Sequence, residues 1–272
     1  RVSRGLGDVY KRQGDDIFHS GGVDDGYYWT NYSITKNGHP VGSFYGHKVV
    51  GIFQNQSEID ALNKQAAEKT NGEITVYQTA ETKPGDWKYI DVNGDGYISD
   101  EDKTILGDGY PTLNYGLNLT AGYKGWDFTL YMYGVLGQDI LSYSYANLTS
   151  VYAASGGYQN CLADCMKNAW TPENQSSKYT RLTRTDGNHN VRISDAFIKN
   201  GDFLRISNIQ IGYTFPKKWV KPLRMESARV YVSVENLATI TGYKYGDPEV
   251  GDSNVLRTGF CLLYTSPSPR DT

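Results

Sequence analysis

The 272-residue sequence predicts an all-β chain of long antiparallel strands, of the kind that wall a transmembrane barrel. Three observations lead there. Apolar and polar residues alternate over runs of about ten residues, close to the nine to eleven that cross a bilayer and longer than the usual five or six of soluble sheets. Aromatic residues gather where those runs meet a short turn, Tyr123 with Trp126 and Tyr213 with Phe215, as in an interfacial girdle. Connections also alternate in length. A long one (37–112) is followed by a two-residue turn at Lys124-Gly125, a second long one (136–202), the moderate turn FPKKWVKPLRMES, and the start of a loop at Thr241. Short on one side and long on the other is the pattern of periplasmic turns and extracellular loops, and both long connections fall on the outer side.

Composition leaves that reading open and closes others. Tyrosine (23) and glycine (30) are abundant, and a net charge of −3 gives no pull toward nucleic acid. No apolar run approaches the roughly 18 residues of a membrane helix, but barrel strands carry a weak hydropathy signal and need none. No nucleophile elbow, P-loop or zinc signature occurs, so no catalytic residue is assigned. Enzyme chemistry ranks last among the functions considered.

Along the chain, the two ends differ from everything between them. RVSRGLGDVYKRQ (1–13) and CLLYTSPSPRDT (261–272) show neither strand alternation nor a helical stripe. No apolar core follows the N-terminal charges as a signal peptide requires. Both resemble translated sequencing-adapter sequence. The expectation is that 1–13 and 261–272 are non-native and that 14–260 is the protein's own portion. Ser57–Lys69 begins with a capping serine and carries Ile59 and Leu62 at helical spacing, predicting a short surface helix; Asn160–Trp170 is a second candidate.

The stretch DVNGDGYISDED (Asp91–Asp102) has the layout of a calcium loop. Asp91, Asn93 and Asp95 supply oxygens at positions 1, 3 and 5, Gly96 permits the turn at 6, and Tyr97 offers its carbonyl at 7. Ile98 is the apolar anchor, and Asp102 stands at 12, where a shorter reach than that of glutamate weakens the last ligand. A bound Ca²⁺ is one reading; an Asx-rich turn carrying no metal is the other. Pro84-Gly85 before the loop and Gly107 to Pro111 after it preclude the long flanking helices of a sensor, so an ion here would fix the shape of an external loop.

The strands follow. In Leu113–Tyr123 the residues Leu113, Tyr115, Leu117, Leu119 and Ala121 oppose Asn114, Gly116, Asn118, Thr120 and Gly122. In 126–135, Trp126, Phe128, Leu130 and Met132 oppose Asp127, Thr129 and Tyr131. Ile209, Ile211, Tyr213 and Phe215 alternate with Asn208, Gln210, Gly212 and Thr214, and Val230, Val232 and Val234 with Arg229, Tyr231, Ser233 and Glu235. In the loops, CLADC (161–165) either closes a small disulfide or holds two thiols. The tyrosines of 24–32 and 142–148 either stack on sugar rings or brace their loops. His19, His39, His47 and His189 read as solvated loop residues.

PVGSFYGHKVVGIFQNQSEIDAL (40–62), the run from Pro84 to Ile140, and the run from Asn200 to Gly251 together resemble the C-terminal barrel portion of SusC/RagA-type, TonB-linked outer-membrane proteins of Bacteroidota. That resemblance implies a 22-stranded barrel in the complete protein, an outer-membrane location, an N-terminal plug and contact with the TonB complex. It also implies a SusD-like surface lipoprotein partner and import of an oligosaccharide or peptide. The family's plug, TonB-contacting segment, signal peptide and terminal strand find no counterpart here. The expected function is therefore that of a parent protein cut at both ends. Substrate-contacting residues are not legible. The competing expectation is a secreted, calcium-stapled β-sandwich that binds glycans.

Overall fold

The computed structural model describes residues 17–19, 32–152, 159–175, 178–250 and 258–261. Of the expected foreign ends, 1–13 and 261–272, all but Cys261 lies outside these residues, and of the tyrosines of 24–32 only Tyr32, fully buried, lies within them. In chain order the strands are β1 (Ile17–His19), β2 (Ser33–Thr35), β3 (Ser43–Gly46), β4 (Val49–Ile52), β5 (Trp87–Tyr89), β6 (Thr104–Gly107), β7 (Leu113–Tyr123) and β8 (Trp126–Leu136). β9 (Asp139–Ser142), β10 (Ile198–Asn200), β11 (Phe203–Thr214), β12 (Arg229–Thr241) and β13 (Phe260–Cys261) follow. Four short helices complete the set: α1 (Gln56–Lys69), α2 (Tyr143–Leu148), α3 (Ala163–Asn168) and α4 (Lys217–Val220). None of the described helices is long and apolar enough to cross a membrane. The chain divides into two compact units.

One unit, built from 110–139 and 200–249, is a four-stranded sheet of order β12-β11-β8-β7 with antiparallel pairing throughout. Its register sorts side chains by polarity across all four strands. Ala121, Phe128, Ile211 and Val232 form one cross-strand row, and Leu119, Leu130, Ile209 and Val234 the next. On the opposite face lie the rows Thr120, Thr129, Gln210, Ser233 and Asn118, Tyr131, Asn208, Glu235. Side chains alternate along a strand, so a one-residue slip in any pair would mix these rows.

The β11 alternation reverses parity: Leu204 and Ile206 are even, Ile209 and Ile211 odd. A bulge reconciles them. Ile206 pairs with Met132 and Asn208 with Tyr131, leaving Ser207 as the extra residue, so both apolar sets share a face. That face is uncovered: Leu117 is 50% exposed, Leu119 47% and Val232 68%. A soluble sandwich would bury it; a barrel wall turns it to lipid.

Two glycines let side chains cross a strand. Over Gly212 in β11, Asp127 of β8 meets Arg229 of β12, whose Nε donates to Oδ1 at 3.0 Å; a Cβ on Gly212 would lie 2.6 Å from both carboxylate oxygens. Over Gly134 in β8, the Tyr115 hydroxyl reaches from β7 to donate to the Phe203 carbonyl at 3.1 Å.

The second unit takes in 6–109, 140–199 and the residues from 250 on. It holds the sheets β1-β2-β3-β6, β4-β5 and β10-β9-β13. β13 runs parallel to β9, pairing Phe260 with Leu141 and Cys261 with Ser142. Phe53, Ile59, Tyr77, Tyr89 and Ile98 form its buried cluster, with Val49, Leu62 and Trp87 packed against it. Helix α1 starts one residue before the expected Ser57, because Asn55 is the cap: its Oδ1 accepts from the Glu58 N–H at 3.0 Å. The second expected helix shrinks to the six residues of α3.

Candidate functional site

The Asp91–Asp102 loop lies between β5 and β6, two strands rather than the paired helices of a sensor. Its conformation is set by side-chain oxygens bonding the loop's own N–H groups. Asp91 accepts from Gly94 at 2.6 Å and Gly96 at 2.8 Å, Asn93 from Asp95 at 2.9 Å, and Asp95 from Tyr97 at 3.1 Å. Gly96 takes φ 101°, which a side chain rarely adopts. Ile98 is buried in the cluster, its N–H donating to the Tyr77 carbonyl at 2.7 Å.

Asp102 is fully buried. One oxygen accepts from Val92 at 2.8 Å and the other from Ser99 at 2.7 Å, closing the loop end to end. The Lys69 ammonium at the end of α1 sits 2.8 Å from the Gly94 carbonyl and 3.6 Å from Asp91. Among the described residues no group of three or more His, Cys, Asp and Glu side chains is gathered so as to hold a metal.

A polar network ties the loop region together. Asp86, fully buried, accepts from the Lys83 N–H at 2.9 Å, from Arg181 Nε at 2.7 Å and from Asn190 at 3.0 Å. Asn188, also fully buried, accepts from Gln78 at 2.8 Å and Thr82 at 2.7 Å, and donates to Asn190 and to the Trp87 carbonyl. The 181–192 segment is thereby fastened to 78–90 by side chains rather than by a strand ladder. Burial pushes the Asp186 carboxyl upward, against the N–H groups of Asn190 and Val191 that favour its charged form.

Sequence expectation fails for two histidines. His47 is not solvated: it is 3% exposed, and burial, then the charges of Arg192 and Lys103, lower its pKa to about 3. His189 is half-buried at φ 59°, and burial lowers it too. Tyr145 is buried, edge-on to Phe197, with the Lys199 ammonium over its ring, so it braces the loop. Cys161 and Cys165 are free thiols, and Cys165 donates to the Thr149 carbonyl.

On the sheet, the polar face ends at the long-connection side in a charged cluster that the sequence did not signal. Arg205 donates to Glu249 at 2.6 Å, to Asp247 at 2.5 Å and to Thr239 at 3.0 Å. The Tyr133 hydroxyl shares Glu249 at 2.8 Å, and the Tyr133 ring stacks near Tyr131 at 6.0 Å.

Over 244 residues, 89% of the chain, the sequence is 30% identical to TonB-dependent receptor P3 of Formosa agariphila. It is 31% identical over 170 residues to TonB-dependent receptor SusC of Bacteroides thetaiotaomicron. The chain belongs with the TonB-dependent receptors of the SusC/RagA type. It spans only 22% of the Formosa receptor and 16% of SusC. No family model matches it. Among solved structures, the RagAB peptide importer in its open-open state superposes with a TM-score of 0.57 at 20% identity, covering 88% of this chain and 22% of that one. The closed-closed state gives 0.58 at the same identity and covers 88% and 23%. The receptor sheet described above is thus part of an antiparallel barrel fold, and the expected fold class stands.

Proposed function

We propose that this receptor chain forms wall and outer loops of an outer-membrane importer in a Gram-negative bacterium. In this reading it draws energy through TonB and takes an oligosaccharide or peptide handed over by a SusD-like lipoprotein. The observation that supports it best is the polarity sorting of four paired strands into one exposed apolar face and one polar face. The apolar face meets lipid and the polar face lines the lumen. Transport of this kind needs no covalent step, and none is assigned.

The Asp91–Asp102 loop, in this proposal, takes Ca²⁺ as a staple. Asp91, Asn93, Asp95 and the Tyr97 carbonyl are the near ligands and Asp102 the closing one. Supporting it are the turn at Gly96 and the anchoring of Ile98, which fix the course of the loop backbone. The ion would supply only charge and rigidity.

Deleting the gene that carries this segment in its host, and supplying defined oligosaccharides or peptides as sole carbon source, tests the import reading. Growth should fail on one such class and return on complementation, and a SusD-like lipoprotein should co-purify with the receptor. Unaltered growth on every class together with no co-purifying lipoprotein contradicts it. For the staple, Ca²⁺ should raise the melting temperature of the receptor but not of its Asp91→Ala, Asp95→Ala variant.

A further inference from the structure

The connection between β11 and β12 holds an exposed cationic cluster. Lys217, Lys218, Lys221 and Arg224 are all exposed, and Lys124 in the neighbouring two-residue turn lies at the same end of the sheet. Against these cations the two turns offer one acid, Glu226. Asp127, at the start of β8, is already paired with Arg229. No ion pair satisfies any of the five cations among the described residues. Beneath them, Val220 is buried and holds the turn in a defined shape, and Arg224 closes it in the left-handed region at φ 55°.

The same end of the sheet carries a ladder of aromatic rings that continues the apolar face. Trp126 lies 4.8 Å from Tyr213, Tyr213 5.2 Å from Phe215, and Phe215 6.2 Å from Trp219. Trp219, flanked directly by Lys218 and two residues from Lys221, is 57% exposed. Indole rings favour the level of lipid headgroups, and clustered cations beside them meet phosphate.

We propose that the 215–228 turn, with Lys124, is a headgroup site for anionic glycerophospholipid in the inner leaflet of the outer membrane. Trp219 sits at the ester level, and the cations of 217–224 hold the phosphate. The site rests on the barrel reading, which puts short turns on the periplasmic side. An acidic periplasmic protein is the competing occupant. The lipid is favoured because the aromatic ladder joins the cations to the apolar face without a break.

The test uses the full-length receptor carrying this segment, extracted in detergent with equal phosphatidylglycerol and phosphatidylethanolamine and weighed by native mass spectrometry. The receptor should retain phosphatidylglycerol in preference. The combined variant Lys217→Gln, Lys218→Gln, Lys221→Gln, Arg224→Gln should lose that preference by about fivefold or more, the scale set by a single surface cation. Lys→Arg at 217, 218 and 221 should keep it, and millimolar inorganic phosphate should not displace the lipid. Equal retention of both lipids by the unaltered receptor, or an unchanged preference in the glutamine variant, overturns the proposal. So does capture of an acidic protein with no lipid preference. Heat-modifiable gel migration, the mark of a folded barrel, is read on every sample. Its loss in the unaltered receptor would mean that the barrel reading, not the lipid site, has failed.

Discussion

Leu119 and Thr120 are neighbours on β7 that the register places on opposite faces, Leu119 in the row with Leu130, Ile209 and Val234. Both lie four or three residues from the Tyr123 end. At about 3.4 Å per residue and a strand tilt near 40°, Leu119 stands about 10 Å above the short turn, close to mid-depth of an apolar band about 25 Å tall. An arginine on the lipid face at that depth costs about 2–4 kcal/mol, whereas one on the lumen face costs little. Leu119→Arg should therefore destabilise the full-length receptor by about 2–4 kcal/mol, and Thr120→Arg by less than about 1 kcal/mol. The assay is reversible denaturant unfolding in phospholipid vesicles, followed by tryptophan fluorescence. Equal costs for the two, or a larger one for Thr120→Arg, would refute the assignment of faces.

Gly212→Ala should lower the melting temperature, because its Cβ would intrude on the Asp127–Arg229 pair; in an Asp127→Ser background the penalty should shrink markedly. Asp86→Ala leaves Arg181 without its buried partner and should cost about 3–5 kcal/mol locally. Faster hydrogen exchange confined to 78–90 and 181–192 would reveal it. His47 is held neutral in the fold while an unfolded chain takes up its proton near pH 6.5, so the folded form loses stability as pH falls from 6.5 toward about 3. The slope is at most about 1.4 kcal/mol per pH unit, and His47→Gln should flatten it in acid unfolding curves.

The barrel strands were legible because alternation repeats without interruption: β7 spans the expected Leu113–Tyr123 and β8 runs one residue past its expected end. β11 was read only from Asn208 onward, because the extra residue Ser207 reverses parity in a way that no local composition marks. The second unit was largely opaque. Its described strands are three or four residues long, apart from the two-residue β13, too short for periodicity to show. Asp86, Asn188 and Asn190 act through contacts about a hundred residues away. His47 looks like a loop residue in sequence and is buried through its backbone bridge to Ser194. At the candidate site, the positions of Asp91 to Asp102 were readable from spacing, but the burial of Asp102 and the approach of Lys69 were not. The Arg205 cluster depends on Glu249, 44 residues away, and carries no motif.

Spin labels placed singly at 117, 118, 119 and 120 would show whether one face of this sheet meets lipid and the other water. The full-length receptor would be reconstituted in vesicles, with its cysteines replaced by serine. Collision with lipid-soluble oxygen should dominate at 117 and 119 and collision with an aqueous nickel chelate at 118 and 120, a strict period of two. Water contact at all four positions would contradict the account.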